Sequence, residues 1–163
     1  MKQNVLLITL AAGFAAPPAA HAETADATAG AEIVAPLTVM AWEELFFGTI
    51  APSTLTSGDV FVDVDGTRVC SNGPTCLADN QQAARFAVNG QTGKAYGISV
   101  TSGTTVSNGA GDTMAVTGLV SDISTGILVG GSDEFWVGGT LQVSVNQATG
   151  MYLGNYTVSV EYQ

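Results

Sequence analysis

The chain has 163 residues, 46% of them hydrophobic, and carries four Lys and Arg residues against fourteen Asp and Glu residues, a formal net charge of −10 at pH 7. This acidic chain lacks the clustered basic side chains that binding to nucleic acid or to an anionic membrane face requires. We therefore expect no nucleic-acid partner. The single histidine, His21, lies in a segment predicted below to be removed. This excludes a Ser-His-Asp triad, a Cys-His pair and a His-based metal site, and we expect neither enzymatic activity nor a cofactor.

Residues 1–22 are predicted to be a secretory signal peptide. Lys2 is the charged start, residues 5–16 are the apolar core, and Ala20-His21-Ala22 has the small-x-small pattern of a cleavage site. A retained membrane anchor is the alternative, which Pro17 and Pro18 disfavour because they end the helix early. We therefore expect export, with the periplasm as transit and the cell surface or an extracellular fibre as destination, and no transmembrane span after cleavage.

The next segment, residues 23–35, is predicted to be an N-terminal extension. From Ala25 onward its odd positions carry apolar side chains and its even positions mostly polar ones, a period of two that continues to Val39 and is long for one strand. One interpretation is a donor strand that inserts into another subunit, with these candidate inward residues: Ala29, Ala31, Ile33, Ala35 and Leu37. The other makes residues 33–39 the first strand of the chain's own domain.

Residues 36–163 are predicted to form one all-β domain, an immunoglobulin-like or pilin-like β-sandwich of about eight strands. Strand-forming residues concentrate in runs separated by turn formers such as Asp65-Gly66 and Asn89-Gly90. The clearest runs are residues 31–40, 44–50, 59–64, 84–88, 95–101, 113–120, 134–145 and 151–162. Residues 77–84 are the one stretch that suggests a helical turn.

Cys70 and Cys76 are the only cysteines, and the five residues between them favour a turn. In an exported chain such a pair predicts a disulfide that closes a short loop. The chain-entropy contribution of so small a loop is about 2 kcal/mol, so we expect it to rigidify one turn.

The C-terminal residues have the most regular pattern in the chain. Tyr156, Val158, Val160 and Tyr162 alternate with polar residues, which predicts a strand with one buried face. The spacing also resembles the C-terminal signature of chaperone–usher pilus subunits. That signature has Gly fourteenth from the end, where Gly150 stands, then apolar residues eighth, sixth and fourth from the end and a penultimate aromatic. The resemblance implies an acceptor or chaperone-facing strand, and the alternative is an ordinary last strand.

Nearly the whole exported part also resembles an uncharacterised family of secreted bacterial proteins, domain of unknown function 4402. The resemblance is carried by residues 35–39, 45–52, 84–90, 96–98, 137–141 and the C-terminal strand. It implies a secreted pilin-type or spore-coat-type β domain and no particular activity. A disulfide confined to one loop departs from many pilins, which join distant strands.

These features predict a structural subunit of a surface fibre or pilus that assembles by strand donation. Its expected partners are copies of itself or related subunits, together with a periplasmic chaperone and an outer-membrane usher. The alternative is a self-contained surface domain that acts as an adhesin or glycan-binding module through Trp136, Tyr96 or acidic loops. Trp42 and Trp136 are candidates for a sugar-stacking platform, against the commoner role of packing.

Overall fold

The computed structural model describes residues 23–78 and 80–163. The predicted signal peptide, residues 1–22, lies outside the described residues. Residues 23–37 have no regular secondary structure. The described part contains twelve strands and no helix: β1 Thr38–Glu43, β2 Thr49–Ala51, β3 Gly58–Val62, β4 Arg68–Ser71, β5 Thr75–Ala78, β6 Ala84–Asn89, β7 Ala95–Val100, β8 Gly103–Ser107, β9 Thr113–Ser121, β10 Thr125–Ile127, β11 Ser132–Val143 and β12 Val158–Tyr162.

All strands lie in the compact unit Ile33–Gln163. The largest sheet has seven strands in the order β1-β6-β11-β3-β4, with β9 also paired to β11 and β8 to β9. The long strand β11 organises this sheet, because residues 132–137 pair with β6 and residues 139–143 pair with β3. A second sheet has the order β10-β7-β12, and a third joins β2 to β5.

The hydrophobic core lies between the large sheet and the β10-β7-β12 sheet. The large sheet contributes Phe86 and Phe135, whose rings stack with centroids 5.3 Å apart, and the smaller sheet contributes Tyr96 and the inward side chains of β12. Burial of each large apolar side chain stabilises the fold by about 1.5–3 kcal/mol. The prediction of an all-β, sandwich-like domain is confirmed.

Several element boundaries differ from those predicted. The predicted run 31–40 begins its strand only at Thr38, and β4, β5, β8 and β10 fall between predicted runs. The suggested helical turn at residues 77–84 is wrong. Its first residues end strand β5, and Gln82 instead forms an isolated β-bridge with Phe46. The pairing partners of this stretch are distant in sequence, so its own polar residues gave no sign of them.

Candidate functional site

Strands β1 and β12 are neighbouring edges that leave the sandwich open along one side. β1 pairs with β6 and β12 pairs with β7, and within residues 23–78 and 80–163 no ladder joins β1 to β12. Each strand therefore keeps one edge of backbone N–H and C=O groups outside the ladders. Such an edge is a template for another strand.

A groove lies between the segment that follows β1 and the segment that precedes β12. Its volume is about 880 Å³, and its two walls are residues 44–50 with Pro52 and residues 147–155. The floor is apolar and is formed by Val106, Met114, Leu141 and Val143. A hydrogen bond from the Asn146 N–H to the Ser53 carbonyl (2.9 Å) links the segments at one end.

The first wall follows β1 and belongs to neither large sheet. Its strand β2 pairs only with β5, in the two-stranded sheet. Arg68 connects the two segments of this strand pair, because its guanidinium donates to the carbonyls of Phe47 (3.1 Å) and Ala78 (2.6 Å). Gly48, at φ 81°, passes so close to this guanidinium that a Cβ there would collide with it. The wall is thus held by the guanidinium of Arg68 in addition to its backbone pairing with β5 and Gln82.

The disulfide is part of the same support. Cys70 and Cys76 are bonded, with their Cα atoms 6.0 Å apart, which confirms the predicted disulfide. Cys70 lies in β4 at the edge of the large sheet, and Cys76 lies in β5 opposite Ile50 of the groove wall. The bond therefore links the large sheet to the groove wall, which is more than the stiffening of one turn that the short loop predicted.

The second wall leads into β12 and runs beside β8. Ser107 and Leu153 exchange two backbone hydrogen bonds of 2.9 Å, and the Thr104 hydroxyl donates to the Asn155 carbonyl. Gly154 lies so near the backbone of β8 that a Cβ would overlap Thr105 and Val106, so glycine is required there. Gly150, the residue of the C-terminal signature, also lines this wall.

The alternation predicted for the C-terminal strand is present. Tyr156, Val158, Val160 and Tyr162 are half-buried and pack against the core, whereas the residues between them are exposed. The regular strand is shorter than predicted, starting at Val158. Contact of these side chains with a chaperone or donor strand stays a prediction.

Two tyrosine hydroxyls in this strand have contrasting surroundings. The Tyr162 hydroxyl donates to the Ala35 carbonyl (2.8 Å) and accepts from the Gln91 N–H (2.7 Å). The Tyr156 hydroxyl is buried with no hydrogen-bond partner among the described residues. Burial, with a smaller effect of the Glu44 carboxylate, raises the pKa of Tyr156 above its usual range.

The candidate donor residues divide into two groups. Ala29, Ala31 and Ile33 are exposed, and Ile33 retains 96% of its accessible surface. Ala35 is held through its backbone by Tyr162 and Gln91, and Leu37 packs on the core of its own domain. In this conformation Ala35 and Leu37 contact their own domain, whereas Ala29, Ala31 and Ile33 are exposed, and insertion of the extension into a neighbour stays a prediction.

Tyr96 is not available to a ligand, which corrects its prediction as an adhesin residue. Its side chain is fully buried, and its hydroxyl donates to the Asp133 carboxylate at 2.9 Å. Burial, reinforced by this bond to Asp133, raises its pKa above the usual range. Across the described ranges no group of three His, Cys, Asp or Glu side chains is placed to hold a metal ion. Nor does that part of the chain contain a helix long and apolar enough to cross a membrane.

The fold and the groove together define a sandwich-like β domain with one side left open. The chain belongs to the family described as domain of unknown function DUF4402, which matches residues 37–162. No curated protein and no solved structure matches the chain. The matched range begins where the chain joins its own core, and the exposed extension precedes it.

Proposed function

We propose that this protein is a non-enzymatic, exported structural subunit of a surface fibre, in which the N-terminal extension of one copy fills the groove of the next. The observation that carries the proposal is the groove, which has an apolar floor and lies between the segment that follows β1 and the segment that precedes β12. An inserted strand would gain ladder hydrogen bonds from the edge of β2 that does not pair with β5, and apolar contacts from the floor.

The extension has the chemistry of the missing strand. Its apolar residues recur with a period of two, and Ala29, Ala31 and Ile33 are exposed. Extended, residues 23–33 reach roughly 36 Å, which covers a wall of about 30 Å over residues 44–52. Small alanines at most inward positions suit a groove whose floor is already lined by Val and Leu, and Ile33 supplies the bulk that sets the register.

The extension joins the domain at one place and the groove lies at another, and this separation favours an open chain of subunits over a closed dimer. The extension joins the domain at Ala35, beside Tyr162 and the start of β1, whereas the groove begins where β1 ends. The donor and the acceptor are therefore at opposite ends of β1. Contacts between two different surfaces of identical subunits extend into an open filament when their rotation does not close a ring.

The predicted leader and the disulfide support export of the subunit through an oxidising compartment. We propose that a periplasmic chaperone covers the groove in transit and that an outer-membrane usher presents it to the next donor. The exposed edges of β1 and β12 would otherwise invite unspecific pairing.

The test uses the chain from residue 23 and a variant lacking residues 23–33. We expect light scattering to show concentration-dependent polymers for the first and a folded monomer for the second. A labelled peptide of residues 23–33, present while the truncated protein refolds, should bind it, and Ile33→Asp in the peptide should abolish binding. Thr28→Asp, on the opposite face of the peptide, is the matched control and should bind normally.

The acceptor is tested by Leu153→Asp, because this side chain lines the groove yet is 72% exposed, so the monomer should remain folded. Peptide binding should be lost. Leu55→Asp, at a leucine that is 86% exposed and outside the groove, should bind as the parent does. Failure of the parent to bind the peptide on refolding, with no polymer at high concentration, would overturn the proposal.

A further inference from the structure

A second cluster lies on the outer face of the large sheet, where three neighbouring strands bring together residues far apart in sequence. Trp42 is in β1, Arg85 in β6 and Trp136 in β11, and Trp136 is directly opposite Arg85 in the ladder. The Arg85 Cζ atom lies 4.8 Å from the centroid of the Trp42 ring and 5.9 Å from that of Trp136. The guanidinium is thus placed between two indole rings.

Two carboxylates lie beside this guanidinium, and one of them, Glu134, fixes its orientation. Glu134 Oε2 accepts from Arg85 Nε (3.0 Å) and from Nη2 (2.6 Å). Glu43 Oε1 lies 3.9 Å from Nη1, too far for a hydrogen bond. Glu134 therefore holds the Arg85 guanidinium on its Nε and Nη2 side. The Nη1 atom remains able to donate a hydrogen bond to a ligand bound beside Glu43.

The Trp42 side chain offers surface next to these polar groups. Trp42 is 54% exposed although Arg85 lies over its ring, and Met40 on the same face of β1 is also exposed. An exposed ring beside a preoriented donor and an exposed carboxylate acceptor combines stacking with directional hydrogen bonding. If the row of Trp42, Arg85 and Trp136 side chains served only to stabilise the sheet, the Trp42 ring would not need to be so exposed.

The charges of the cluster select the class of ligand. Glu43 and Glu134 with Arg85 leave a local excess of negative charge, and the chain carries a net charge of −10. Anions are therefore repelled. A cation would have to stack on the Trp42 or Trp136 ring, and the Arg85 guanidinium already lies over both, so a cationic ligand is disfavoured. A neutral pyranose meets neither obstacle, because its C–H face is apolar and its hydroxyls both donate and accept.

We propose that Trp42, Arg85 and Glu43 form a binding site for a neutral saccharide on the outer face of the large sheet. The sugar ring stacks on Trp42, one hydroxyl accepts from Arg85 Nη1 and another donates to Glu43. Trp136 and Glu134 are positioning residues, because they hold the guanidinium. The site stands apart from the groove and does not depend on strand donation.

The experiment exploits the two tryptophans of the chain. Trp136→Phe leaves Trp42 as the sole indole and keeps an aromatic ring over Arg85. Its fluorescence is titrated with cellohexaose, maltohexaose, mannohexaose and galactohexaose, and saturation-transfer NMR on the unaltered protein reports which sugar protons touch it. We expect a saturable fluorescence response to at least one neutral sugar. Saturation-transfer titrations of Trp42→Ala and Arg85→Lys, each made in the otherwise unaltered protein, should show binding weakened about tenfold, because the first variant loses the stacking ring and the second loses the planar fork. Polygalacturonate and choline should give no response.

Thermal melts of each variant establish folding, and Leu77→Ala, at an exposed leucine outside the cluster, is the control for nonspecific effects. Absence of saturable binding to every neutral sugar would overturn the proposal. So would binding that survives Trp42→Ala, or equal binding of polygalacturonate. A change in self-association on Trp42→Ala without sugar binding would make the surface a protein interface and also refute it.

Discussion

The centre of the sandwich and the groove differ in how far they bury their apolar side chains. At the centre, β6 and β11 are paired on their ladders and bury Phe135, Val88 and Val137 completely. At the groove, Met151 and Leu153 stay largely exposed although they adjoin an apolar floor. The centre is packed within one chain, whereas the groove leaves apolar side chains exposed, where we propose that a strand from another copy packs.

The largest expected effect is on the free energy of unfolding, when one large apolar side chain is replaced by alanine at the centre and one at the groove. Phe135→Ala should lower the free energy of unfolding by about 3–5 kcal/mol, because it leaves a cavity against Phe86. Leu153→Ala should change it by less than about 0.5 kcal/mol in the monomer. Urea denaturation followed by circular dichroism measures both. Equal losses would mean that the groove wall is as fully packed as the centre.

The inward and outward faces of β12 can be compared next. Val160→Asp places a carboxylate against the core and should cost about 3 kcal/mol. Ser159→Asp, at an exposed neighbour, should be close to neutral. A thermal melt distinguishes them, and similar melting temperatures would show that the strand does not keep this face inward in solution.

Replacement of both Cys70 and Cys76 by Ser should cost about 2 kcal/mol and act mainly on the groove wall. Hydrogen exchange should accelerate at the amides of β2 and β5, since the bond joins β5 to the edge of the large sheet. Exchange in β6 and β11 should be unchanged in the same sample. Uniform acceleration would show that the disulfide stabilises the whole domain.

The smallest predicted effect concerns the two tyrosine hydroxyls of the C-terminal strand. Tyr156→Phe should stabilise the protein by about 1 kcal/mol, because it removes a buried hydroxyl that has no partner within the described residues. Tyr162→Phe should destabilise it by about 1 kcal/mol, because the hydroxyl bonds both Ala35 and Gln91. Denaturant midpoints measure the pair, and a shift of the same sign in both would contradict the assignment.

The sequence predicted the parts of the fold whose signal is local. The alternation from Tyr156 to Tyr162 identified the inward face of β12, because bulky apolar residues at every second position leave one choice of face. The disulfide was also predicted from a local signal, because the only two cysteines are close in sequence and are separated by turn-forming residues. Strands β4, β5, β8 and β10 were missed because each has too few residues to show a clear alternation, and pairing with partner strands makes them strands.

The site depends on relations that no local pattern contains. The groove lies between two segments that are distant in sequence, residues 44–52 and 147–155, and neither segment carries a local pattern that indicates the other as its neighbour. Trp42, Arg85 and Trp136 meet only through the register of three strands. One signal was present: arginine is scarce in this chain, and both Arg68 and Arg85 bind several groups at once.

The attachment of the extension also determines how the domain responds to mechanical tension. A pull on the extension reaches the domain at Ala35 and loads the bond to the Tyr162 hydroxyl, and when it is directed along β1 it then acts on the whole length of that strand. Because β1 lies antiparallel to β6 from Thr38 to Glu43, that force shears the hydrogen bonds of the ladder together rather than peeling them off one at a time. The domain is therefore fastened in the direction that resists stretching, and a pull across the sheet would open it far more easily.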